Sequence, residues 1–146
     1  MGAVAQASTD PKPRQLGVVL DMIAGEAIKA GQVVAFHGTG VAWTVWRHVT
    51  GTTVSPLGVA LYDAASGAHV AIAGPGSIVK VKNGLDNAAL DAGTQIMGSG
   101  TTEGHVIAYT SAAGQEEPFG VMLETLPASA VMAYAYIFGG VNLTKV

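Results

Sequence analysis

At 146 residues the chain is long enough to bury one ordinary core, and its formal net charge of −3 sets 7 Lys and Arg against 10 Asp and Glu. That balance excludes the basic stripe a nucleic-acid binder needs, and the lack of cysteine excludes disulfides, thiolate metal sites and a cysteine nucleophile. With 12% of residues charged and 49% hydrophobic, self-association into a homo-oligomer is expected to cover the surplus apolar surface, the alternative being a monomer coated with Thr, Ser, Gly and Ala.

In chain order, residues 1–15 come first. MGAVAQASTDPKPRQ has no apolar run of the secretory kind, and Gln6 stands where a myristoylation signal carries Ser or Thr. Pro11 and Pro13 remove backbone donors and favour extended conformations. The stretch reads as an extended or disordered arm, with Lys12 and Arg14 projecting toward a partner. Short β-prone runs follow: 16–23, 32–36, 41–48, 57–62, 69–73 and 77–82. Gly38-Thr39-Gly40, Gly67 and Gly74-Pro75-Gly76 mark turns between them. In Ser77–Lys82, Val79 and Val81 alternate with Lys80 and Lys82, which predicts a strand with one wet face. The runs 94–97, 105–110, 119–124 and 130–138 repeat the plan. Residues 125–144 carry no charge, but Pro127, Ser129, two tyrosines, two glycines and Asn142 interrupt them, so a buried strand and not a membrane span is predicted. Segments 24–30 and 85–90 could each make a single helical turn, too short to stand alone.

The second half echoes the first at one offset. Ala27-Ile28-Lys29-Ala30-Gly31 returns 62 residues later as Ala89-Leu90-Asp91-Ala92-Gly93, and Pro56-Leu57-Gly58-Val59-Ala60-Leu61 returns as Pro118-Phe119-Gly120-Val121-Met122-Leu123. Ala68, Ala71 and Ala73 align with Ala130, Ala133 and Ala135 on the same spacing. This predicts one all-β domain over 16–146, a small barrel or sandwich built from two tandem pseudo-repeats at about 24–73 and 86–135.

Candidate chemistry is sparse. His37, His48, His69 and His105 lack metal-site spacing and read as solvated or at hairpin edges. The carboxylates are scattered, and Glu116-Glu117 beside Pro118 reads as an exposed loop. There is no Gly-x-Ser-x-Gly elbow, and the glycine-rich 98–104 lacks the lysine of a phosphate-binding loop, leaving a hairpin loop. No catalytic residue, cofactor or metal is therefore assigned. Trp43, Trp46 and Arg47 stand out. The two tryptophans have opposite parity on a strand, so at most one points into the core. The other lies either at a surface or subunit interface, where Trp and Arg are enriched, or under a loop.

The segments IAGEAIKAGQVV, SPLGVALYDAASGAHVAIAGPGSIVKVK, LDAGTQIMGSG and EPFGVMLETL together resemble the capsid cement, or head-decoration, proteins of tailed bacteriophages. The resemblance spans roughly Ile23 to Ile137; the arm and the Trp43–His48 stretch lie outside its pattern. It implies a non-enzymatic β-rich protein on the outer surface of the virion head, commonly a trimer at capsomer junctions. Its partners would be the major capsid protein and itself, with no nucleic acid and no membrane. Lys12, Arg14, Trp43, Trp46 and Arg47 are then candidate capsid or subunit contacts. Two alternatives stand beside it: a β-clip-like ligand-binding or enzyme-accessory module, and a self-assembling surface or fibre subunit.

Overall fold

Short runs of Val, Ile, Ala and Met between glycine turns leave little room for helices, and a computed structural model of the chain shows strands throughout. It describes residues 11–36, 41–48, 56–84, 89–99, 102–109, 118–127 and 132–139. Among these, the first half contributes β1 (Val19–Ala24), β2 (Val33–Ala35), β3 (Thr44–Arg47), β4 (Gly58–Ala60) and β5 (His69–Ala73). The second contributes β6 (Ser77–Lys82), β7 (Gln95–Gly98), β8 (Val106–Ala108), β9 (Gly120–Met122) and β10 (Met132–Ile137). The described residues contain no helix, so 24–30 forms bends, a bridge and a turn instead; 85–88 lies outside the described residues.

The first five strands close a barrel in the order β1-β3-β2-β4-β5, with β1 antiparallel to β5 and parallel to β3. The last five form a sheet in the order β6-β10-β9-β7-β8. Its two ends meet through one parallel bridge between Asn83 and Val106. Substituting β6 to β10 for β1 to β5 reproduces every neighbour relation of the barrel. Register follows too. Val33↔Val59 and Val34↔Gly58 correspond to Gln95↔Val121 and Ile96↔Gly120, and the bridge Ile28↔Ala64 corresponds to Leu90↔Leu126, all 62 residues on.

The offset drifts elsewhere. Val59 pairs with Ala73, whereas Val121 pairs with Tyr136, one residue beyond the offset of 62. Ala73 thus corresponds to Tyr136 in pairing, not to Ala135 as the alanine pattern suggested. The shared plan also takes in β1 and β6, which precede most of the segments 24–73 and 86–135.

Two apolar clusters follow from the alternation of these strands. Met22, Ala24, Ile28, Val34, Val45, Ala60, Val70 and Ile72 fill the first barrel. The corresponding residues Val81, Leu90, Ile96, Val106, Met122, Ala133 and Ala135 lie in the second cluster. That cluster also takes in Val33, Val59 and Ala73, the outward row of β2, β4 and β5, all fully buried. The first barrel therefore packs its outer face onto the core of the second sheet.

Backbone contacts fix this junction. The Val33 N–H donates to the Gly104 carbonyl (2.7 Å), the Gly104 N–H to the His48 carbonyl (2.9 Å), and the His48 N–H to the Val33 carbonyl (2.8 Å). The His48 ring packs so tightly on Gly98 that any Cβ there would collide with it. His48 is thus 2% exposed, not solvated as its polarity suggested; His37 lies outside the described residues.

The arm docks on its own chain from Lys12 onward. Ile78 accepts from the Arg14 N–H (2.9 Å) and donates to the Gln15 carbonyl (2.9 Å), and the Tyr134 hydroxyl donates to the Lys12 carbonyl (2.9 Å). Lys80 Nζ and Arg14 Cζ lie 5.1 Å and 5.9 Å from the Tyr134 ring centroid. Such cation–aromatic contacts are worth about 0.5–1 kcal/mol each at exposed sites. Lys80 is buried there, and Lys82, beside Gly31 and Asp63, is half-buried, which corrects the wet face predicted for Ser77–Lys82. Burial pushes the Lys82 ammonium below the usual lysine range, with Asp63 acting in the opposite sense. Residues 1–10 lie outside the described residues.

Candidate docking surface at the mouth of the first barrel

Parallel β1, β3 and β4 all begin at one end of the first barrel, and antiparallel β2 ends there. Antiparallel β5 ends there too, and β1 to β4 with the segments beside them supply the groove's walls. The rim residues are apolar: Leu20 and Met22 from β1, Phe36 just after β2, Val41, Ala42 and Trp43 before β3, and Leu57 before β4. They line an open groove of 440 Å³. Phe36, Val41 and Trp43 are 39%, 51% and 69% exposed. Among the described residues its walls are almost wholly apolar, which suits an apolar protein surface better than a small polar ligand.

Trp43 is also held in an unusual backbone conformation. Its φ of 60° makes it the one non-glycine residue with positive φ among the described residues. A bulky side chain in that region costs on the order of 1–3 kcal/mol. Strand β3 begins only at Thr44, so Trp43 sits on the turn that enters the strand and not within it, as the run 41–48 had suggested. The Ile23 N–H donates to the Trp43 carbonyl (2.7 Å), which anchors the turn to β1 and leaves the indole outside.

Trp46 and Arg47 act elsewhere. The Trp46 indole is half-buried on Gly25, where any Cβ would collide with the ring. Glu26 grips Arg47 twice, accepting from its backbone N–H (2.9 Å) and from Nη2 (2.9 Å). Glu103, from the turn between β7 and β8, stands 3.8 Å from the same guanidinium. The hydrogen bond that Arg47 donates to Glu26 leads the causes that raise the Arg47 pKa; burial opposes it. Both residues thus brace the chain internally. A similar local clamp holds Asp63: the Ala30 N–H donates to it (2.9 Å), and together with Lys29 this keeps its carboxyl below the usual range.

Of the five residues singled out from sequence, only Trp43 lines the groove. Lys12 and Arg14 lie with Tyr134 beside β10, and the structure does not bring them to Trp43. Leu20, Phe36, Val41 and Leu57 do not stand out in the sequence, although Phe36 and Val41 lie on either side of the Gly38-Thr39-Gly40 sequence, the available signal. Among the described residues no group of three or more His, Asp or Glu is placed to hold a metal ion, and no helix is long and apolar enough to cross a membrane.

No protein-family model matches the chain, and no curated protein sequence matches it. The fold is similar to that of a solved structure, the N base of the head fiber gp8.5 in bacteriophage phi29. The TM-score is 0.58, with 14% identity, 86% of this chain and 98% of that chain covered. At that identity the likeness is one of fold, and fold by itself does not carry function.

Proposed function

We propose that the chain is a non-catalytic structural protein of a tailed-phage virion. It would seat on the outer surface of the head at capsomer junctions, bind the major capsid protein and itself as a homo-oligomer, and act without a cofactor. The observation that carries this reading is the fold likeness: nearly the whole of a phage head-fibre base is matched by most of this chain. It agrees with the cement-protein resemblance of the segments IAGEAIKAGQVV, SPLGVALYDAASGAHVAIAGPGSIVKVK, LDAGTQIMGSG and EPFGVMLETL.

The test is binding of the purified protein to undecorated capsids of the phage that encodes it, followed by sedimentation. Saturable occupancy at a fixed copy number per capsomer is expected, together with a higher rupture temperature of the shells. Absence of the protein from the capsid pellet at saturating concentration overturns the reading. A second reading, the base of a head fibre and not a brace, is favoured by what the similar structure is. It differs in one outcome: bound protein would leave the rupture temperature unchanged.

A further inference from the structure

The two halves share one strand plan but have unequal company. In the first barrel the row Val33–Val59–Ala73 runs across β2, β4 and β5 and is fully buried against the second sheet. The row in the same register on the second sheet is Gln95–Val121–Tyr136. Gln95 and Tyr136 are exposed there and Val121 half-buried, with exposed Leu123 and Phe138 beside them. The face that joins the halves thus recurs in the second half with no described residue of this chain seated on it.

The receiving surface recurs as well. The first barrel docks on the end of β7 at Gly98 and on the turn before β8 at Gly104. Gly98 pairs with Val106, two residues after Gly104. Extending the β2–β3 register by one pair sets Phe36 opposite Val45, two residues after Trp43. Phe36 therefore corresponds to Gly98, and Trp43 to Gly104. Backbone conformation supports the match: Gly104 has φ 80° and Trp43 has φ 60°. The chain keeps the left-handed turn in both halves and places a tryptophan on the copy left open.

From this repetition we infer that a second copy of this chain docks head to tail, its Gln95–Val121–Tyr136 face seated on the Phe36–Trp43 groove. The contact continues between chains the packing that already joins the halves within one. Both free surfaces carry larger side chains than their internal counterparts: Tyr136 in place of Ala73, Phe36 and Trp43 in place of glycines. Apolar area thus takes over from the close backbone approach available within one chain. Such a contact is heterologous. It closes into a ring if the rotation between copies divides a full turn and otherwise grows as a filament.

Heterologous docking has a signature that an isologous dimer lacks. Trp43→Glu spoils only the groove, and Tyr136→Glu spoils only the face. Each variant alone should be monomeric by sedimentation equilibrium under conditions where the wild type assembles. Mixed in equal amounts, they should form a one-to-one dimer and nothing larger, because one intact groove meets one intact face. Circular dichroism and melting profiles like those of the wild type would show that each variant is folded; should either fail, Trp43→Ser and Tyr136→Ser take their place. A wild type that stays monomeric, variants that assemble as the wild type does, or a mixture that stays monomeric would each overturn the inference. So would a monomeric wild type whose capsid binding is lost in Trp43→Glu, which would give the groove to the capsid. The measurement is made without capsids, so it stands or falls separately from attachment to a head.

Discussion

Gly98 and Gly67 are both glycines beside turns, yet their substitution should cost stability for different reasons. At 98 an added Cβ drives into the buried His48 ring, and the ring cannot retreat without breaking the seam between the halves. Overpacking of this kind costs about 1–3 kcal/mol. At 67 an added Cβ meets nothing within 4 Å, but φ is 87°. Only backbone strain remains, about 1–2 kcal/mol. In urea unfolding, Gly98→Ala should lower the midpoint, and truncating the ring in His48→Ala/Gly98→Ala should recover part of the Gly98→Ala loss. The Gly67→Ala loss should be unaffected by His48→Ala. Additivity at 98 and 48 would mean that the ring and the glycine are not in close contact.

At the scale of elements, the arm separates what the sequence made legible from what it did not. Pro11 and Pro13 announced a stretch without helix, and residues 11–18 hold none, with a bend at Arg14 and a bridge from Gln15 to Ile78. Its destination was not legible, because the acceptor is a main-chain carbonyl at Ile78 and the clasp is an aromatic ring 122 residues away at Tyr134. Deleting residues 1–15 should therefore lower the melting temperature of the core by a few degrees, and Tyr134→Ala in the full chain should cause part of the same loss. An unchanged melting temperature after truncation would show that the contacts at Ile78 and Tyr134 contribute nothing. Strand periodicity was readable because the alternation of Val, Ile and Ala is local. Lys80 misled for a related reason: alternation identifies the outward face of a strand but not what lies over it, and here the arm and Tyr134 do. Trp43 stood out by type, while its groove depended on Leu20 and Leu57 from distant strands.

At the scale of the whole molecule, the duplicated plan raises the question of whether the halves are one thermodynamic unit. Val33, Val59 and Ala73 belong to strands of the first barrel but lie in the same apolar cluster as Phe119, Ile96 and Ile137 of the second sheet. Pulling the halves apart would expose those three side chains and part of that core together. At about 25 cal/mol per Å² of apolar surface, a few hundred Å² is worth several kcal/mol, comparable with the total stability of an ordinary domain. Separate unfolding of either half is thus disfavoured, and calorimetry should show a single transition whose van't Hoff and calorimetric enthalpies agree. Val59→Ala removes two methyl groups from the shared cluster without touching the interior of the first barrel, and should cost about 2 kcal/mol. Its effect should move the whole transition, not split it. Two resolved transitions in the wild type, or a Val59→Ala variant in which only one half melts early, would show that the repeats fold as neighbours and not as one body.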